Sequence, residues 1–219
     1  HTSCVLMLLE RCISDQLKAH LRKIGFLRRN QFGFRSGHNC ESCLLKIVHD
    51  CKTAMDGKKC VGVVCIDLSK AFDSLPVDGI LSALQSAGLD STAINWFRAY
   101  LDGRKQQVKI RSELSSLEPV SFGVPQGSIL GPLLFTIFVN ELPIQCRFSE
   151  VSLFADDTTI VASGKTPEEV KQKLEADLLQ LYNWLHANCL KAHKDKSNFM
   201  FLSNNRKHQT PTVKFGVVE

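Results

Sequence analysis

Two adjacent aspartates, Asp156 and Asp157, follow Phe154-Ala155 between two short apolar, β-branched runs, Val151 to Phe154 and Thr158 to Ala162. This pattern predicts a strand, a tight turn and a second strand, with both acids at the hairpin tip. Like charges held there repel each other and resist desolvation, so a fold that keeps them supplies cations. Hard divalent ions with oxygen ligands, Mg²⁺ above all, suit such a site. An Asp-Asp turn alone is weak, because Asp is a good turn former. A third carboxylate strengthens it. Val61 to Ile66 is a short apolar run without helical spacing, which predicts a buried strand, and it ends at Asp67. An acid closing a buried strand can face the hairpin tip of a neighbouring strand. Carboxylates converging in this way hold two Mg²⁺ ions about 3.5–4 Å apart, the arrangement for in-line phosphoryl or nucleotidyl transfer.

The elements that must position these acids are legible in outline. Apolar residues at helical spacing (Leu6, Leu9, Ile13, Leu17, Leu21, Ile24) predict a helix over residues 3–24, stopped at Gly25. A second helix is expected over 40–55. After the strand to Asp67, Pro76 opens a helix to Ala87, and another runs from Thr92 to Leu101. Strands are expected over 106–111 and 120–124, and a buried helix over 128–142. Thr166-Pro167-Glu168-Glu169 predicts a helix start with a capping box, and that helix runs to about Ala187. Residues 198–202 read as a late strand. The mixture indicates an α/β or α+β class.

The chain has 219 residues, 44% of them apolar, enough for one substantial core. Its net charge of +5 is compatible with a polyanionic partner. Basic residues fall in local groups, at Arg28-Arg29 with Arg35, Lys58-Lys59, Arg104-Lys105 with Lys109 and Arg111, and Lys191, Lys194 and Lys196. Nine cysteines, with no secretory signal ahead of them, read as reduced thiols of an intracellular protein. His38, Cys40 and Cys43 lack a second pair to complete a zinc site. No run approaches the ~18 apolar residues of a membrane span. The chain starts at His1, as a piece of something longer would.

Five motifs in order carry a family resemblance. They are Gln31-Phe32-Gly33-Phe34-Arg35-Ser36-Gly37; Ile66-Asp67-Leu68-Ser69-Lys70-Ala71-Phe72-Asp73; Gly123 to Phe135, with Pro125-Gln126-Gly127-Ser128 inside it; Phe154-Ala155-Asp156-Asp157-Thr158; and Trp184-Leu185 with Asn188, Leu190-Lys191 and Lys196-Ser197. Together they resemble the reverse transcriptase domain of a non-LTR (LINE-type, jockey-like) retrotransposon over nearly the whole chain. The resemblance implies an α+β fold: a right-hand polymerase palm, an antiparallel sheet backed by helices, with partial fingers and no thumb. It places partial fingers over 1–60, the palm over 61–203 with a fingers insertion around 89–118, and the truncated approach to a primer grip over 204–219.

The implied activity is RNA-directed DNA polymerisation, adding dNTPs to a DNA primer along an RNA template. Asp67, Asp156 and Asp157 become ligands for two Mg²⁺ ions, or Mn²⁺, that acidify the primer 3′-hydroxyl and neutralise the triphosphate. Phe72 becomes a gate against a 2′-hydroxyl, a role compatible with plain core packing. Gln126 and Gly127 lie in a loop against the incoming nucleotide. Arg35 becomes a triphosphate contact, with a plain surface arginine the competing reading. Lys196 becomes a general acid for pyrophosphate, with Lys194 close enough to contest it. Trp184 and Leu190 read as core. The resemblance also implies the remainder of a retrotransposon polyprotein, nuclear location during target-primed synthesis and cytoplasmic location otherwise. Two departures stand out: His1 to Val5 replaces an Arg-Pro-Ile-Ser segment, and Ala192-His193 replaces a Leu-Asn pair. The altered first segment and the missing termini sustain a second reading, a catalytically inactive nucleic-acid-binding fragment of a dead or domesticated element. A telomerase-like or intron-maturase relationship is a third.

Overall fold

A computed structural model describes residues 4–216. The altered segment expected at residues 1–5 falls largely outside the described residues, as do residues 217–219. The chain forms two compact units, one of residues up to Phe26 with Lys70–Phe138, the other of Leu27–Ser69 with the residues from Val139 on.

The second unit is built on a four-stranded antiparallel sheet. Its strands are β1 (Cys60–Ile66), β6 (Glu150–Phe154), β7 (Asp157–Gly164) and β8 (Asn198–Leu202), in the order β6-β7-β1-β8. On one face Val61, Val63 and Val161 pack with Cys51, Ile47, Ala54 and Met55 of helix α2 (Cys40–Asp56). Asn39 caps α2 through a reciprocal pair of bonds with Ser42. On the other face lies helix α6 (Pro167–Ala187), with Val170, Leu174, Leu178, Leu181 and Leu185 buried at helical spacing. Gly62 sits under this helix. A Cβ there would stand 2.7 Å from both Val170 and Leu174 side chains, so only glycine permits this approach. Buried Asp177 of α6 accepts backbone N–H bonds from Arg147 (2.8 Å) and Phe148 (3.0 Å), anchoring the chain just before β6.

The cap of α6 forms differently from the capping box expected. Thr166 Oγ1 accepts from Glu169 N, but the Glu169 carboxylate accepts from Lys165 N (2.8 Å) rather than reaching the Thr166 amide. Lys173, donating at 2.7 Å, is the main cause holding the Glu169 carboxyl below its usual range.

The first unit holds helices α1 (Cys4–Lys23), α3 (Val77–Ser86), α4 (Ser91–Leu101) and α5 (Gly131–Phe138). The strand expected over 106–111 is broken into exposed two-residue pieces. Here β2 (Lys105–Gln106) pairs with β5 (Glu118–Pro119), and β3 (Lys109–Ile110) pairs with β4 (Glu113–Leu114). With no face buried, alternation alone does not sustain a longer ladder. The strand expected over 120–124 does not form either. Instead Gly123 N donates to Leu75 O (2.7 Å) and Val124 N to Phe72 O (2.9 Å). The apolar helix expected over 128–142 starts at Gly131, whose N–H donates to Ser128 Oγ at 2.9 Å. Beyond Phe138 the chain tightens into a 3₁₀ segment, Val139–Gln145, which contains Pro143.

Candidate active site

The register of the sheet brings the acids together. Ile66 of β1 pairs with Thr158 of β7, so Asp67 and Asp157, one step further, stand side by side at adjoining strand ends. Neighbouring strands lie about 4.8 Å apart. Phe154 pairs with Asp157 across a two-residue turn, Ala155-Asp156. Asp157 is therefore the first residue of β7, and Asp156 alone of the two acids occupies the tip. Ala155 takes φ +55°, a left-handed conformation that this tight hairpin demands.

The charges are coupled. The Asp157 carboxyl is held above its ordinary range, first by partial desolvation, then by repulsion from Asp156 and Asp67, while Lys196 pulls the other way. Lys196 Nζ stands 3.5 Å from Asp67 Oδ2. The acids are neighbours rather than a closed cage: among the described residues, no three His, Cys, Asp or Glu side chains group tightly enough to hold one ion. They nonetheless fit a divalent ion by chemistry. The donors are hard oxygens, and one of them is raised by its anionic neighbours, a cost that a cation removes.

Lys196 owes its place to a turn that the sequence reading passed over. Asp67 O accepts from His193 N (2.8 Å), Ser69 N donates to Lys191 O (2.8 Å), and Leu68 bridges Ala192. His193 O then accepts from Lys196 N (3.2 Å) and Ser197 N (3.0 Å). The chain around the unusual Ala192-His193 pair thus fastens the lysine turn directly to the first acid. Its one signal was the departure from the family pattern. Lys194 and Lys196 are both exposed, and Lys196 is paired with Asp67. Leu190 is core, whereas Trp184 is half-buried.

Arg35 is directed onto its own loop. Its Nη1 donates to Arg28 O at 2.7 Å and to Gln31 O at 3.4 Å.

In the first unit, the loop before α5 borders a cavity of about 280 Å³ lined by Phe72, Val124, Pro125, Gln126, Gly127 and Ser128, with Gly131 and Pro132. Phe72 is half-buried against Phe135, ring centroids 4.6 Å apart, so it packs and lines the cavity at once. Gln126 Nε2 donates to both Asp73 carboxylate oxygens at 2.9 Å. Asp73 was quoted only as part of a motif; here it orients the loop amide. Gly123 presses on Phe72 and Asp73 so closely that a Cβ would stand 2.7 Å from backbone. Arg104 donates to Phe122 O and Gly123 O. Buried Glu10 accepts from Ile129 N (2.6 Å) and from Tyr100 Oη (2.9 Å). Burial is the main cause pushing the Tyr100 phenol up. Neither Glu10 nor Tyr100 carried a sequence signal, and Arg104 was legible only as one of a basic group.

The model of the family described as reverse transcriptase (RNA-dependent DNA polymerase) matches residues 2–216. The chain belongs to that family. Members of the family use divalent metal ions and bind an RNA template. Among curated relatives, the chain is 29% identical over 202 residues to the probable RNA-directed DNA polymerase from transposon BS of Drosophila melanogaster, covering 89% of this chain and 22% of that protein. It is 27% identical over 184 residues to the RNA-directed DNA polymerase from mobile element jockey of the same organism, covering 81% of this chain and 20% of that protein. The chain thus spans about a fifth of the length of these relatives, and it reads as the reverse transcriptase domain of a non-LTR retrotransposon. Its fold is shared with telomerase from Candida albicans, solved with a fragment of telomeric RNA, at a TM-score of 0.68 and 13% identity over 94% of this chain and 36% of that one. This supports the α+β, palm-type architecture. No helix among the described residues is long and apolar enough to cross a membrane.

Proposed function

We propose that this domain extends a DNA primer along an RNA template by two-metal nucleotidyl transfer. The observation carrying the proposal is the strand register that sets Asp67 beside Asp157 next to the Ala155-Asp156 turn. Asp67, Asp156 and Asp157 hold two Mg²⁺ ions, for which Mn²⁺ can substitute. When bound, such ions acidify the primer 3′-hydroxyl and offset the charge of triphosphate and leaving pyrophosphate. Lys196, 3.5 Å from Asp67, donates a proton to the departing pyrophosphate. Phe72 excludes a 2′-hydroxyl. Gln126, steadied by Asp73, and Gly127 meet the incoming dNTP through amide and backbone groups. Arg35 contacts the triphosphate, which requires that its guanidinium exchange a backbone carbonyl for phosphate oxygen.

In domain terms, residues 61–203 act as palm with a fingers insertion around 89–118, residues 1–60 as partial fingers, and 204–219 as the approach to a primer grip. The domain works within a larger retrotransposon polyprotein, in the nucleus during target-primed synthesis and in the cytoplasm otherwise.

A primer-extension assay tests this. Mg²⁺- or Mn²⁺-dependent dNTP incorporation on an RNA template is expected, and Asp156→Asn abolishes it while template binding is retained. Activity unchanged in Asp156→Asn refutes the metal assignment. Absence of incorporation with tight, salt-sensitive RNA binding would establish the inactive-fragment reading instead.

A further inference from the structure

We propose that the segment Asn30–Gly33 is a brace that sets the position of the Ala155-Asp156 turn, with Gly33 as its positioning residue. The inference rests on reading Asp156 and Asp157 as the metal-holding acids.

Sequence motif alone gives Gly33 no task. Its φ lies outside the left-handed region, so backbone freedom does not explain it. Its surroundings do. A Cβ built on Gly33 would stand 2.3 Å from the backbone nitrogen of Ala155 and 3.1 Å from both Ala155 Cα and the Phe154 carbonyl carbon. Those atoms are main chain and cannot swing aside as a flexible side chain could. The hydrogen of Gly33 therefore lies directly against the turn that presents Asp156.

The same segment is locked to the strand leading into that turn. Phe32 N donates to Leu153 O and Leu153 N to Asn30 O, both at 2.8 Å, and Gln31 bridges Leu153 in parallel. Asn30 Nδ2 donates to Val151 O at 2.6 Å. Gln31 is fully buried, and its Oε1 accepts from Gly33 N at 3.0 Å, which holds the glycine in place from within the segment. The segment thus bridges β6 in parallel at one position and ends against the turn. A turn carrying Asp156 next to Asp157 at the start of β7 would otherwise relax outward under their repulsion. Bracing from Gly33 opposes that motion, because Ala155 is already committed to φ +55° and has little freedom to reposition.

The test uses the chain as it stands, with Gly33→Ala, the milder Asn30→Ala, and Gly57→Ala as a glycine control whose added Cβ would meet backbone no closer than 3.3 Å, against 2.3 Å at Gly33. Three quantities are read: Mn²⁺ affinity by electron paramagnetic resonance, amide hydrogen exchange of residues 155–157 in metal-free protein, and primer-extension kinetics. A displacement of about 1 Å at a reacting centre costs on the order of 10²-fold in rate, and loss of a supporting contact costs about 10- to 100-fold in metal affinity. Gly33→Ala is expected to lower kcat and Mn²⁺ affinity by such factors, to speed exchange at the turn, and to leave the KM for template-primer within about twofold, since phosphate contacts elsewhere carry that affinity. Asn30→Ala moves the same readouts less far, and Gly57→Ala leaves them unchanged.

Wild-type Mn²⁺ affinity and exchange in folded Gly33→Ala overturn the proposal, as does an equal loss in Gly57→Ala. Should Gly33→Ala fail to fold, Asn30→Ala decides by the same readouts, and no change there overturns it. If the wild-type domain incorporates no nucleotide, the polymerase reading fails, while the metal-affinity and exchange comparisons still judge the brace.

Discussion

Lys196 offers the sharpest separation between a structural and a chemical role, and Lys196→Met is the perturbation. At 3.5 Å from Asp67, a unit pair is worth about 1 kcal/mol in bulk water and several times that at an effective dielectric of 20. The lysine side chain is 64% exposed, so the lower figure governs, and measured surface pairs reach about 1 kcal/mol at most. For a domain of this size that corresponds to a fall in Tm of no more than about 4 °C. If the ammonium protonates the departing pyrophosphate, its loss instead lowers kcat by about 10²- to 10⁴-fold. The two scales differ enough to be told apart in one experiment. Single-turnover dNTP incorporation on an RNA template gives the rate, and thermal unfolding gives the stability cost. Lys194→Met is the matched control and keeps both values, because Lys196 is the lysine paired with Asp67. Lys196→Met should also raise Asp157's proton affinity further, since Lys196 is the group that lowers it. Wild-type kcat in Lys196→Met, or an equal loss in Lys194→Met, refutes the reasoning.

Two further outcomes are expected. Phe72→Val opens the space beside Phe135 and should raise ribonucleotide incorporation relative to deoxynucleotide by roughly 10-fold or more; an unchanged ratio in competition assays removes the gate. Asp157 binds its proton more tightly folded than unfolded, so in metal-free protein stability falls as pH rises from its ordinary value of 3.8 through the raised one, and the deficit persists at neutral pH. Asp157→Asn should therefore raise the neutral-pH Tm in chelator, by less than about 1 kcal/mol equivalent, with the gain vanishing at low pH; destabilisation at pH 7 would contradict this.

Local patterns were read well where one short-range rule dominated. The hairpin around Asp156, the Thr166-Pro167 helix start and the apolar strand to Asp67 each follow from a few adjacent residues, and each is present. Misreadings fall where local pattern met a distant partner. Residues 120–124 alternate as a strand should, yet their amides are taken by Leu75 and Phe72. Glu169 is a local exception: it has the spacing of a capping box, yet the Lys165 amide four residues back takes its carboxylate. The contacts of Glu10, Tyr100 and Arg104 were invisible because each is made with residues far along the chain, as that of Glu10 is with Ile129.

From the sequence alone came the chemistry: three carboxylates, a late lysine, an aromatic residue five positions after the first acid, and a glycine-rich loop, ordered as in reverse transcriptases. Residue type and spacing suffice for the carboxylates, because hard-oxygen donors and turn formers declare themselves locally; the lysine, the aromatic residue and the loop were legible only through the family resemblance. Tertiary structure alone decided which atoms meet. The β1–β7 register set Asp67 beside Asp157, the His193 turn brought Lys196 to Asp67, and the backbone of Ala155 came within reach of Gly33. Register and close approach depend on burial summed over whole strands and helices, a quantity that no short stretch of sequence contains.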